Sequence, residues 1–536
     1  MTPIFAPKES LTTEEKRQGL RGLMIEGPFS QAMVMMTTGA FLISFTLAIQ
    51  DSNKLVGFIV SIGSLMMVFQ TPAALIIERI RNRKRIALVT ALIARLIWPL
   101  IAISPFVLPK PVVMPTIIGL LFFRYLFANA SGIAWGSWIR DLVPDRIMGR
   151  FFSYRLAVMI GIGAVIAFLS GLFVDYWTDT FGSALAANAI ILGSGGVFGL
   201  LALIVMMRMP EPMMAVAAEP AKSTAFIIEP FKDKNYRNWL IFVGFWNFAS
   251  SMSGPFIIVH MLKRLDISMT WVQGFAILSQ TLMVALLPIW GRVSDKLGSK
   301  TVLRVATNLI VLTFLLWTFT TLPKRHALMP IVLVATYIIG GIGWGGFASA
   351  SSVLPLKNAP KDRSTSYFSA SALVSGIAST IGPLTGGLLA DAFKDMEFSI
   401  PLRFAISGET VFSFPAFSFS SFDFLFLLSF LIGSLAVHRL KYVHEKVESK
   451  EEEVRPEMIA QLQRTLRQIG HTMGIRLTSA VQMEKPQSLS RTSARLSRVS
   501  ATQAIPVAIA SSEPSATPSA TPQDGSEGQN PRSGVD

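Results

Sequence analysis

PDRIMGRFFSYRLAVMIGIGAVIAFLSGLFVD, residues 144–175, can be laid on PKDRSTSYFSASALVSGIASTIGPLTGGLLAD, residues 360–391, at one constant offset. Pro144 falls on Pro360, Phe152 and Ser153 on Phe368 and Ser369, and SGLFVD (170–175) on GGLLAD (386–391). A second place agrees. LIIERIRNRKR (75–85) lies at almost the same offset over WGRVSDKLGSK (290–300), with Glu78 opposite Asp295 and Arg79 opposite Lys296. Apolar residues match one another by chance; prolines, aspartates and paired charges do so less readily. The second half of the chain therefore restates the first.

The repeated unit is a membrane bundle. Of 536 residues 51% are hydrophobic and 15% charged, against about 25% charged in soluble chains, so the surface cannot be covered with polar groups. The apolar residues come in blocks such as Ser30–Ile49, Leu55–Ile77 and Ile86–Leu108, each near the roughly 20 residues a helix needs to cross hydrocarbon. Twelve spans are expected near 29–50, 55–78, 86–108, 115–138, 151–175, 186–208, 238–261, 269–290, 301–322, 328–352, 366–391 and 421–439. The expected fold is thus all-α, with twelve transmembrane helices in two pseudo-symmetric six-helix halves. Its parts are a cytoplasmic N-terminal segment (1–28), halves at 29–208 and 238–439, a cytoplasmic linker (209–237), a cytoplasmic helical segment (440–483) and a disordered tail (484–536).

Charge sets the expected orientation. Lys and Arg concentrate in alternate loops, as in Arg79 to Arg85, Arg140 to Arg150, Lys222 to Arg237, Arg292 to Lys300 and Lys357 to Arg363; those loops and both termini should be cytoplasmic. The net charge of +15 is spread over short loops and forms no continuous groove, which argues against a nucleic-acid partner. Met1–Pro28 carries no secretory signal. With no cysteine, disulfides, thiolate metal sites and cysteine nucleophiles are excluded; no metal spacing or nucleophile elbow appears, and neither an enzyme nor a cofactor is expected.

GRVSDKLGSK (291–300) resembles the loop signature G-x-x-x-D-[RK]-x-G-[RK]-[RK] of the major facilitator superfamily, between helices 8 and 9, where that family repeats it. The resemblance covers roughly residues 29–440 and implies a secondary transporter whose halves rock about a central site. Gly291 permits close helix approach and Gly298 the tight turn. Lys296 and Lys300 are expected to hold the loop at the surface, and Asp295 to latch one conformation by capping a helix or pairing with a cation. The copy after helix 2 departs from the signature: Ala74 and Arg81 stand where glycines are expected, and Glu78 replaces aspartate beside Arg79. WIRDLVPDRIMGRFFSYR (138–155) is similar to the charged loop after helix 4, ending in Gly149 and Arg150. IGPLTGGLLAD (381–391) is similar to the Gly-Pro-x-x-Gly-Gly pattern of helices 5 and 11. There Gly382, Gly386 and Gly387 leave room for tight packing and Pro383 bends the helix.

Candidate ligand contacts are fewer. Arg124 lies mid-span in helix 4, where leaving a cation in hydrocarbon costs at least about 2.5 kcal/mol, so it is expected to face a central cavity and an anionic or strongly polar solute. A structural arginine paired with neighbouring polar groups is the other account. Asn129, Trp246, Asn247, Gln280, Tyr337 and Trp344 are weaker candidates, since lone polar residues more often bond between helices and tryptophans more often anchor at interfaces. No Asp or Glu falls inside an expected span, which leaves ion coupling open, and His260 reads as an interfacial histidine. The expected partners are the bilayer and a small solute; the C-terminal stripe Met458 to Ile469 suits interfacial lipid binding or self-association, and SLSRTSARLSRVS (488–500) in the tail suits an anionic-lipid contact, phosphorylation or plain solvation; a monomer is expected. Two functions compete: a solute carrier, and a receptor or scaffold that keeps the fold without transport.

Overall fold

The computed structural model describes residues 7–69, 76–77, 79–80, 82–213, 225–321, 326–360, 364–406, 409–445, 456 and 460. The expectations for residues 214–224 of the linker, and for those after 445 apart from 456 and 460, lie outside them.

The first helix opens on a reciprocal cap: the Thr12 hydroxyl accepts from the Glu15 N–H while the Glu15 carboxylate accepts from the Thr12 N–H. From it α1 (Thr13–Thr37) runs to a break at Gly39, whose φ of 60° lies in the left-handed region, and α2 (Ala40–Ile49) completes the first span. That span begins at Thr13, earlier than the expected 29, because capping rather than hydropathy nucleates it. Close packing explains why so polar a segment stays with the bundle: Gly19 meets Leu142 and Gly22 meets Met209. Next come α3 (Asn53–Leu65), extended by a 3-10 turn at Met66–Phe69, α4 (Arg83–Val107), α5 (Lys110–Leu142), α6 (Asp145–Phe181) and α7 (Ala184–Met207). The second half holds the short α8 (Ala225–Lys232), α9 (Lys234–Val259) with a π turn at His260–Arg264, α10 (Met269–Leu297), α11 (Ser299–Thr318), α12 (Met329–Asn358) and α13 (Ser364–Ala392). A hairpin, β1 (Glu397–Ile406) and β2 (Glu409–Ser420), leads into α14 (Phe422–Leu440). Among the described residues 11 helical stretches are long and apolar enough to cross a membrane, and α3 with its continuation stands where the second span is expected. The twelve-helix, two-half plan holds; the hairpin is the departure from an all-α chain.

The two halves close on themselves by the same device. Glu211, just after α7, accepts from the backbone N–H of Arg83 (2.8 Å) and Lys84 (3.1 Å), while the Lys84 ammonium donates to Met209 O. Glu445, just after α14, accepts from the N–H of Ser299 (3.2 Å) and Lys300 (2.7 Å), while the Lys300 ammonium donates to Lys441 O. Each carboxylate caps the third helix of its own half, so the repeat seen in the sequence is a repeat in structure. Burial pushes the Glu211 carboxyl above its usual range, against the lowering effect of the Lys84 and Arg83 N–H groups. Lys300 is buried and ties the loop to the end of α14.

The apolar core is divided unequally. At the end carrying the basic loops each half has its own cluster, around Leu88, Trp138 and Leu142 in the first and around Trp239, Leu303 and Leu354 in the second. At the charge-poor end one cluster runs through both halves, joining Phe45, Ile59 and Leu121 to Met252, Phe256 and Met269.

Candidate translocation site

Within the apolar cluster that joins the halves at the charge-poor end, glycines bring backbone against backbone. A Cβ added at Gly57 of α3 would come within 2.2 Å of Pro383 O on α13, and one at Gly387 within 2.7 Å of Asn53 O. On the other flank a Cβ at Gly171 of α6 would lie 3.0 Å from the Thr270 Cα of α10. Gly382 and Gly386 serve the inside of the second half, facing Phe248 O and Met252 O of α9. Two carboxylates at equivalent positions of the repeat complete this end. Asp175 accepts from the Met269 and Thr270 N–H groups, both at 2.8 Å, and Asp391 from the Lys54 N–H at 3.4 Å. Each aspartate thus caps the first turn of a helix in the opposite half. Lys263 pairs with Asp51 nearby.

Inside the first half the charges are more numerous than expected. Arg124 is buried, its guanidinium carbon 4.8 Å from the Trp98 ring centroid and 4.4 Å from that of Tyr125, and its Nε has no acceptor. Trp98 belongs to α4, so this face of α5 is turned toward its own half. The expected absence of acids from the spans is overturned by Glu26 of α1. It is buried and accepts from Arg155 Nη2 of α6 at 2.7 Å and from the Ser30 hydroxyl. Arg155 Nε donates to Leu23 O at 3.0 Å. Arg95 of α4 reaches the Ser30 oxygen at 3.5 Å and keeps Nη1 buried without an acceptor. Hydropathy alone starts the helix at its apolar block and leaves Glu26 outside; the Thr12–Glu15 capping pattern is the sequence signal that brings it inside.

The second half splits its candidates. Trp246 of α9 is buried beside Phe347 (ring centroids 5.1 Å apart) and Trp344 (6.2 Å), both on α12. Asn247 bonds Val243 O on its own helix and Ser375 Oγ on α13. Tyr337 belongs to another group nearer the charge-poor end, stacked on Phe275 with its hydroxyl on Met261 Sδ. His260 is not interfacial: it is fully buried, bonded to Thr320 Oγ1 at 2.8 Å and walled by Trp317, Phe422 and Phe426. Gln280, half-buried on α10, makes no hydrogen bond among the described residues, and Asn129 donates to Tyr125 O of its own helix. An apolar cavity of about 650 Å³ between α9 and α13, lined by Leu240, Gly244, Val374 and Ile377, reaches Ile432 of α14 and so belongs to the flank, without the polar lining a hydrophilic solute needs.

At the basic end Gly298 turns the chain between α10 and α11 at φ 90°, as a glycine can. Gly291, Asp295 and Lys296 lie on the last turns of α10; Asp295 is exposed and makes no hydrogen bond or ion pair among the described residues. Arg79 is exposed, Arg150 lies in the first turns of α6, and Glu78 is outside the described residues.

The sequence profile of the Major Facilitator Superfamily matches residues 29–383, well over half of the chain. The chain belongs to that superfamily. A tetracycline resistance protein, class H, of Pasteurella multocida is 35% identical over 118 residues; the match spans 22% of this chain and 28% of that protein. Among solved structures, a bacterial homologue of the iron transporter ferroportin in an inward-facing state aligns with a TM-score of 0.58 at 14% identity, over 81% of this chain and 100% of that one. The nucleoside transporter NupG aligns at 0.56 and 12% identity, over 80% and 99%. At such identities the likeness is one of fold. This facilitator is an integral multi-pass membrane protein with the fold of known transporters.

Proposed function

We propose that this facilitator moves a small anionic or strongly polar solute by alternating access, with the basic loops and both termini in the cytoplasm. The observation that carries the reading is the uneven core: one apolar cluster bridges the halves at the charge-poor end, and two separate clusters stand at the basic end. A carrier closed to the outside has this form. For the reverse state the halves must part at Gly57, Gly171 and Gly387 and meet at the loop motif, where the Asp295 carboxylate makes no hydrogen bond or ion pair among the described residues.

Arg124 supports the anionic solute, since a buried guanidinium with no carboxylate beside it among the described residues can be neutralised by a substrate carboxylate or phosphate. A second reading, favoured by the stacking on Trp98, makes Arg124 a packing element of the first half. Uptake and efflux by proteoliposomes over a panel of anionic and neutral solutes tests the proposal. Saturable flux of an anion above empty liposomes supports it; no flux of any solute would favour a scaffold that keeps the fold.

A further inference from the structure

The hairpin between α13 and α14 has one apolar face. In the antiparallel register Phe398 pairs with Phe419 and Ile400 with Phe417; beyond a bulge Leu402 pairs with Phe414 and Phe404 with Phe412. Directly paired residues share a face, so these positions form one continuous surface. The intervening pairs, Ser399 with Ser418, Pro401 with Pro415 and Arg403 with Ser413, form the other, which carries no aromatic position. The bulge matters. Phe414 and Phe417 are three residues apart, which in a regular strand puts them on opposite faces; the register shift between Ile400 and Pro401 absorbs the extra residue and returns both positions to the same one. A second shift between Phe404 and Ala405 acts alike beyond Phe412.

We infer that this face lies on the bilayer, making the hairpin an interfacial anchor in the leaflet at the charge-poor end. Continuity with the membrane-facing side of the bundle names the occupant. At the root of the hairpin the Phe419 ring lies 6.4 Å from Phe424 of α14, which in turn meets Phe393 at 5.5 Å. Phe424 heads a helical stripe that continues through Leu431 and Leu435, both more than half exposed in a helix that crosses the membrane. Phe398 and Ile400, the described apolar side chains of β1, are likewise half exposed. The other face is held to the protein: Ser420 O and Oγ each accept from Arg264 at 2.6 Å, and the Ser420 N–H donates to Asp423 at 2.9 Å. With its polar root fixed by Arg264 and its aromatic positions running on from the lipid-facing stripe, the hairpin extends the bundle's apolar perimeter along the interface, where aromatic residues partition well.

The natural absence of cysteine makes the test direct. Single cysteines at 400, 404, 412 and 414, and at 399, 403 and 413, are introduced into the full chain, labelled with an environment-sensitive fluorophore and reconstituted in liposomes. Quenching by lipid-borne nitroxide is compared with quenching by aqueous iodide. The first set is expected to be quenched from the lipid and spared by iodide, and the second set the reverse, so that the ratio alternates along each strand with a shift at the bulge. Equal iodide quenching of both sets means a hairpin standing in water and overturns the inference. Protection of the first set from both quenchers means cover by protein, a second copy or the chain's own entrance, and overturns it as well.

Discussion

Arg124 lies over Trp98 and Tyr125 with its Nε unbonded, and under the proposed function a solute anion completes the ion pair. Arg124→Gln is expected to weaken binding of an anionic solute by about ten- to a hundredfold, the equivalent of a charge-assisted hydrogen bond of about 1.5–3 kcal/mol. Arg124→Lys should recover most of the loss if charge dominates and little if the planar fork does. Affinity and thermal stability measured on the same purified variants separate the two roles: lost stability with unchanged affinity makes Arg124 a packing residue. Glu26 calls for the opposite expectation. Glu26→Gln leaves Arg155 without its carboxylate inside the bundle, and breaking a buried pair on one side costs about 3–5 kcal/mol, so its unfolding temperature in detergent should fall markedly. An unchanged unfolding temperature would show that water already compensates the pair.

Helices meet here through glycine and through capped ends, and both can be tested as elements. Gly57→Ala places a methyl group 2.2 Å from Pro383 O, a backbone atom that cannot swing aside, so the charge-poor end should no longer close and a label near Lys54 should gain access from that side. Asp175→Asn and Asp391→Asn each weaken a helix cap worth about 0.5–2 kcal/mol, and together they should shift the balance between states by about tenfold in the same direction. Accessibility unchanged in the double variant would mean that apolar packing alone holds this end shut. The aspartates were legible in the sequence as matched positions of a repeat. Their role was not, because an N-terminal helix turn in the other half becomes a partner only once the halves are docked.

For the molecule as a whole, orientation and exchange between states are the quantities to measure. Single cysteines at 79 or 296 should react with an impermeant thiol reagent only from the cytoplasmic side, and those at 110 or 396 only from outside; the reverse pattern would invert the topology. Asp295, exposed in this state, should act in the other one. Asp295→Asn is expected to leave the closed end unaltered, slow turnover and remove about 0.3–2 kcal/mol from the state closed to the cytoplasm. Turnover and accessibility equal to those of the unmodified protein would remove Asp295 from the cycle.

Length, apolar blocks and the repeat beginning at Pro144 and Pro360 were enough to determine a twelve-span bundle of two related halves, because the hydrocarbon thickness and the requirement that every backbone group be bonded leave few alternatives. The loop motif at Gly291 to Lys300 was enough for the family. Tertiary structure alone decided three matters. It put Glu26 against Arg155 and near Arg95, since only the packing of α1 on α6 and α4 brings these distant residues together. It placed Trp246 and Tyr337 in separate aromatic groups, since spacing along one helix says nothing of which neighbour each face meets. And it closed one end of the bundle, because the contact of Gly57 with Pro383 joins residues far apart in sequence, whose approach only the packing of the two halves can set.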